Sequence, residues 1–194
     1  MNTKHNAYDA LPYPNLIHFR THPIRNAALA SLYGIDAPDV GSARVLELGC
    51  AAGANLMQMA SELPDATFVG VDLSSGQIEE GRQAIAAVGL RNVSMHDEDV
   101  ANIDQSWGQF DYIIAHGLFS WVPEPVQNQI LRVCQENLSS SGIAFLSYNV
   151  YPGWHSRQVV RDIMMQHDNP LADPRSRVEQ ARAILDFMAE RAKP

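Results

Sequence analysis

The sequence predicts an α/β fold, a doubly wound and mainly parallel sheet flanked by helices. Three observations carry this expectation. From residue 43 onward, short apolar runs alternate with amphipathic stretches of helix length. The first run, "ARVLEL", breaks into a glycine- and alanine-rich loop, "GCAAG". The second, "TFVGVD", ends on Asp72, 19 residues past Gly53, the last glycine of that loop.

Residues 1–20 are rich in Pro, Asn and Tyr and read as an irregular arm. "THPIRNAALASLYG" follows as a helix: Thr21 is placed to cap it, Pro23 suits the first turn and Gly34 stops it. Residues 35–42 form a turn-rich linker. "ARVLEL" (43–48) suits a buried parallel strand, and "ANLMQMASEL" (54–63) has helical spacing closed by Pro64. "TFVGVD" (67–72) is a strand, "SGQIEEGRQAIAAVG" (75–89) a helix and "NVSMH" (92–96) a weaker strand. "FDYIIA" (110–115) is again a strand. "PEPVQNQILRVCQENL" (123–138) places Ile130, Val133, Cys134 and Leu138 on one helical stripe. "SSSG" is expected to turn the chain into a fifth strand, "GIAFLSYN" (142–149). Two helical patterns follow, at roughly 154–167 and 175–191. Strands in this cadence are joined by right-handed crossovers, and ligands sit beyond their carboxyl ends beside the first strand.

Length and charge narrow the function classes. At 194 residues the chain holds one domain with a substantial core. Acids outnumber Lys and Arg by 22 to 14, and no basic run occurs, which argues against backbone-driven nucleic-acid binding. Two cysteines, Cys50 and Cys134, lie in no CxxC pattern, so neither a disulfide framework nor a zinc site is expected. His18 and His22 have the spacing of a helical metal pair but straddle a loop-to-helix boundary, and no metal is assigned to them. No apolar segment suits a signal peptide or a membrane span, and a cytoplasmic setting is the default expectation.

The loop Glu47-Leu48-Gly49-Cys50-Ala51-Ala52-Gly53 holds the chemical question. Glycines let backbone approach a ligand, and the following helix directs N–H groups at it. A dinucleotide would bring a pyrophosphate, and Glu47 would sit badly beside it. A ligand with an ammonium, a sulfonium and a carboxylate fits an acid there, and S-adenosylmethionine has all three. Asp72 suits a ribose diol, a feature shared with nicotinamide enzymes. In "HDEDV" the pair Asp99-Val100 is placed to meet adenine, with Asp97 and Glu98 as rivals for the polar role.

"VLELGCAAG", "VGVDLSSGQI" and "FDYIIAHGLFSWVP" resemble the class I S-adenosylmethionine-dependent methyltransferases, with their Rossmann-like sheet. "YDALPYPN…THP", "SWGQFDYIIAHGLFSWVP" and "SYNVYPGWHSRQVVRDIMM" more narrowly resemble bacterial methyltransferases with a regulatory domain, a group that includes the rickettsial protein lysine methyltransferases. The resemblance implies S-adenosylmethionine as cofactor and S-adenosylhomocysteine as product. It implies that Glu47, Gly49 and Gly53 line the methionine end and Asp72 the ribose, and Cys50, Ala51, Leu73 and Gln77 are further candidate cofactor contacts. Asp99 and Val100 would hold adenine, His116 and Gly117 would floor the site, and the arm residues Tyr8 and Tyr13 would close over it. Ala51 departs from the pattern, standing where many class I enzymes carry a middle glycine.

The resemblance also implies closing antiparallel strands that the sequence after Asn149 does not offer. The expected division is a lid-forming arm and helix (1–42), a cofactor-binding core (43–153), and C-terminal helices (154–194) that begin an insertion or further domain. The fifth strand then has an open edge, which a second copy of the chain could cover as a homodimer. Acceptor contacts are expected from Trp121, Tyr148, Asn149, Tyr151, Trp154 and His155, because aromatic faces attract a cationic amine. Trp121, Trp154 and His116 also suit plain packing roles. Methylation of a nitrogen, with protein lysine favoured by the resemblance, is the leading reading. A nicotinamide-dependent oxidoreductase and a non-catalytic cofactor-binding scaffold are the alternatives.

Overall fold

The computed structural model describes residues 13–166 and 173–192. These fall in two compact units, one spanning residues 13–148 and the other holding residues 149–166 and 173–192.

In the first unit, helix α1 (Pro23–Leu32) precedes strand β1 (Arg44–Leu48) and helix α2 (Ala54–Glu62). Strand β2 (Thr67–Asp72), helix α3 (Ser75–Val88) and strand β3 (Val93–Asp97) follow. Strand β4 (Phe110–Ala115), helix α4 (Glu124–Asn137) and strand β5 (Leu138–Leu146) complete it. The five strands form one parallel sheet in the order β3-β2-β1-β4-β5, so the order reverses at β1, as the doubly wound expectation requires.

Both faces of the sheet are covered, which explains why β1, β2 and β4 read as continuous apolar runs. Val45, Phe68, Tyr112 and Ile114 share one core with Leu56, Met59, Ile78 and Ile85. Leu46, Leu48, Val69, Val71 and Ile113 share the other with Ile103, Ile130 and Val133. Among the described residues strand β5 pairs only with β4, and its residues are at most half-buried.

The start of the first helix and both ends of the fifth strand, expected at 142–149, differ from expectation. Helix α1 is capped by His22, whose Nδ1 accepts the Ile24 N–H at 3.2 Å, and not by Thr21. Pro23 fits the first helical position, which makes the residue before it the cap. Thr21 instead closes a short 3-10 turn, Phe19–Thr21, and its hydroxyl donates to the His18 carbonyl. Strand β5 begins directly after α4, and "SSSG" lies inside it rather than forming a turn. Leu138 stands opposite Phe110 and Ile143 opposite Tyr112, so the surplus residues form an irregularity in the pairing. The Ser139 hydroxyl donates to Asp111 at 3.0 Å and ties that stretch to β4.

In the second unit, helices α5 (His155–Gln166) and α6 (Pro174–Arg191) pack on one another. Asp173 caps α6 by accepting the N–H groups of Arg175 and Ser176. No helix among the described residues is long and apolar enough to cross a membrane.

Candidate functional site

Parallel strands bring their carboxyl ends to one edge of the sheet, and the loops after β1, β2, β3 and β4 open there. The β1 loop is held tightly to its neighbour. The Gly49 and Cys50 N–H groups both donate to the Val71 carbonyl, at 2.8 and 3.1 Å. Gly53 caps α2 at a φ of 76°, a left-handed conformation that glycine adopts without strain. Ala51 is left-handed too, at 50°, although it has a side chain. The Cys50 thiol turns inward beside Gly70 and Leu56, and burial pushes its pKa well up. Cys50 therefore offers the site backbone only.

Glu47 is 4% exposed and stands between Gly70 of β2 and Ile114 of β4. Its Oε1 accepts from the Asn55 side-chain amide at 2.8 Å, while its buried Oε2 has no donor among the described residues. Burial, and to a lesser extent the nearby Asp72 charge, push its carboxyl up to about 7 against the pull of the Asn55 bond. A desolvated, half-satisfied acceptor favours any further donor, and a cationic one gains most.

Asp72 is arranged differently. Its Oδ2 accepts the Ala51 N–H and its Oδ1 the Ser74 N–H, both at 2.9 Å, so it fastens the two loops together. Each oxygen keeps a further lone pair. Leu73 beside it is exposed, and Gln77 is buried with its amide donating to the Tyr13 carbonyl at 2.9 Å. At the β3 end, Asp99 caps a short turn, Val100–Asn102, by accepting the Ala101 N–H. Its rival Glu98 is engaged within that turn by the Asp99 N–H and the Asn102 amide, and Asp97 ends the strand opposite Asp72. Val100 packs against the core below.

After β4, the His116 ring lies 4.2 Å from the His18 ring, and its buried Nδ1 has no partner among the described residues. Burial, then the neighbouring His18 and Arg20, lower its pKa. The Gly117 N–H donates to the Ser147 hydroxyl at 2.8 Å, and the space where a side chain would stand is open.

The arm is more fully part of this site than the sequence indicates. Asn15 accepts the Ala54 N–H at 2.8 Å, so the first amide of α2 is already engaged and is not offered to a ligand as expected. The His18 N–H donates to Asn55 at 2.9 Å, and the Asn55 amide donates to the Thr21 hydroxyl at 3.0 Å. Asn15, His18, Thr21 and Asn55 were not among the expected site residues. The available signal was Asn55, a polar residue on an otherwise apolar face of α2. Tyr8 lies outside the described residues.

Trp121, in the turn Phe119–Trp121, and Tyr148, after β5, belong to the first unit and are 50% and 62% exposed. The Tyr148 and Phe119 rings lie 6.2 Å apart. Asn149, Tyr151, Trp154 and His155 belong to the second unit, at and before the start of α5. There the Trp154 indole donates to Gln158, and the Tyr151 and His155 rings meet edge to face at 6.0 Å.

A family model described as a methyltransferase domain matches residues 45–142. A protein of Rickettsia prowazekii, RP789, is 46% identical over 96% of the chain, and the match spans 34% of RP789. A second, RP028 of the same organism, is 36% identical over 94% of the chain and 73% of its own length. The structure of PKMT2 from Rickettsia typhi in complex with AdoHcy superposes with a TM-score of 0.83 at 37% identity, covering 94% of this chain and 35% of that one. The chain thus spans about a third of the length of RP789 and of PKMT2.

Proposed function

The chain belongs to the class I S-adenosylmethionine-dependent methyltransferases, and we propose that it forms the cofactor-binding part of an enzyme that methylates a nitrogen, with protein lysine as the acceptor. The observation that carries the placement of the cofactor is Glu47, buried with one oxygen unbonded among the described residues. An ammonium completes its bonding and neutralises its charge, whereas a pyrophosphate would add negative charge beside it. The nicotinamide alternative therefore suits this pocket poorly.

The remaining residues fit the same ligand. Asp72 has lone pairs left for a ribose diol, with Leu73 and Gln77 beside it. Asp99 and Val100, at the carboxyl end of β3, are the proposed contacts for adenine. His116 and the open space over Gly117 form the floor at the β4 end. The bound sulfonium supplies an activated methyl group. The chain's task is to fix that group in line with an incoming amine and keep water away.

Lysine is favoured by the resemblance to the rickettsial protein lysine methyltransferases and by the likeness to PKMT2. The exposed rings of Trp121 and Tyr148 support it, because an aromatic face attracts an ammonium by about 0.5–2 kcal/mol. The test is to incubate the purified chain with isotope-labelled S-adenosylmethionine and lysine-bearing proteins, then locate the label by peptide mass spectrometry. Label on lysine nitrogen is the expected result. Label confined to carboxyl or hydroxyl groups would overturn the acceptor assignment.

A further inference from the structure

Asn55 sits at a junction that none of the roles above requires. It is 4% exposed on the first turn of α2, and its bonds reach partners 8, 34 and 37 positions away in the chain. Its amide nitrogen donates to Glu47 Oε1 at 2.8 Å and to the Thr21 hydroxyl at 3.0 Å. Its carbonyl oxygen accepts the His18 N–H at 2.9 Å. One side chain thus ties the acid at the centre of the sheet to two residues of the arm.

We propose that Asn55 is a positioning residue that couples Glu47 to the arm, so that cofactor uptake and docking of residues 13–22 stabilise one another. The inference rests on the reading that Glu47 meets the ammonium of the cofactor. An amide has two donor hydrogens, and Asn55 directs one to each side. When the Glu47 carboxylate carries full charge beside a bound cation, its bond from Asn55 becomes charge-assisted and shorter. That fixes the amide plane, and with it the orientation of the carbonyl that accepts from His18 and of the hydrogen offered to Thr21. Conversely, an arm held by Asn15 and Thr21 keeps the amide aimed at Glu47 before the ligand arrives. His18 carries the effect further, since its ring lies against His116 at the other side of the site. Linkage of this kind is reciprocal: what the ligand does for the arm, the arm does for the ligand.

The experiment uses the full chain with S-adenosylhomocysteine as the probe, and reads affinity by calorimetry and arm docking by amide hydrogen exchange over residues 13–22. In the parent chain the probe should slow exchange there, most clearly at the His18 amide. Asn55→Ser should weaken the probe by about tenfold, and its affinity loss should not add to that of Glu47→Gln, as expected for residues in one network. It should also abolish the probe-induced protection of the arm. Thr21→Val is the second variant, since it keeps the side-chain shape and leaves the Asn55–Glu47 bond in place while removing the hydroxyl that Asn55 meets. It should lower affinity by about threefold and reduce arm protection. Additive losses, or full arm protection by the probe in either variant, would overturn the coupling. If the parent chain does not bind the probe at all, the failure lies with the assignment of Glu47 to the cofactor.

Discussion

Glu47, one residue before the end of β1, and Asp72, the last of β2, carry the same functional group and meet opposite surroundings. Asp72 is held by two backbone amides from two loops. Glu47 is buried, held through one oxygen only, and pushed up to about 7. The first is structurally complete before any ligand binds. The second is left unfinished at a cost to the folded chain. Under the proposed reading both acids meet the cofactor, and proximity to the site therefore does not tell which of them the loops also depend on. The bonding does.

The largest expected effect is at Asp72. Asp72→Ala removes acceptors from two loop amides and should lower folding stability by about 3 kcal/mol, since bonds to charged groups contribute roughly 1.5–3 kcal/mol each. Loss of the ribose partner as well should weaken S-adenosylhomocysteine by more than about 100-fold. Denaturant melts and calorimetry check both.

Glu47→Gln should do the reverse on stability. The ligand-free melting temperature at pH 8 should stay the same or rise, because a desolvated charge is removed. Affinity for S-adenosylhomocysteine should fall about 30-fold, the range for breaking a buried charge pair. If this variant is destabilised as much as the Asp72 one and still binds normally, the contrast between the two acids fails.

The pH dependence sharpens the same contrast. The folded chain holds a proton on Glu47 up to about 7, above the ordinary glutamate value of 4.5. A raised value means that the stability contribution is complete below 4.5 and is lost as pH rises through about 7. The loss is on the order of 3 kcal/mol for a shift of this size. An ammonium ligand holds Glu47 ionised, so probe binding should release a proton below about 7 and tighten as pH rises toward that value. Both slopes should flatten in Glu47→Gln. A probe affinity that falls with rising pH in the parent chain would count against a cationic partner.

Much of this was legible in the sequence, and the exceptions have physical causes. Strands β2 and β4 fall where "TFVGVD" and "FDYIIA" place them, because buried parallel strands are bounded runs of apolar residues. Strand β5 was set too late: three serines read as a turn, yet Ser139 is held in the strand through Asp111 on β4. The acids at the strand ends were visible from loop spacing. The arm network was not, because it joins His18 to Asn55 across 37 positions by single polar bonds, which leave no periodic trace.

The smallest expected effect bears on how Asp72 shapes the loop. Ala51 is left-handed, which costs a residue with a side chain roughly 1–2 kcal/mol, and glycine there would relieve it. Glycine also loosens the unfolded chain by about 0.5–1 kcal/mol, so Ala51→Gly should stabilise by no more than about 1.5 kcal/mol. Probe affinity should change less than about twofold, because the Ala51 N–H keeps its bond to Asp72. In an Asp72→Ala background nothing holds residue 51 in place, and alanine can relax out of the left-handed region. The gain from glycine should then vanish. An equal gain in both backgrounds would show that the loop, and not Asp72, imposes that conformation.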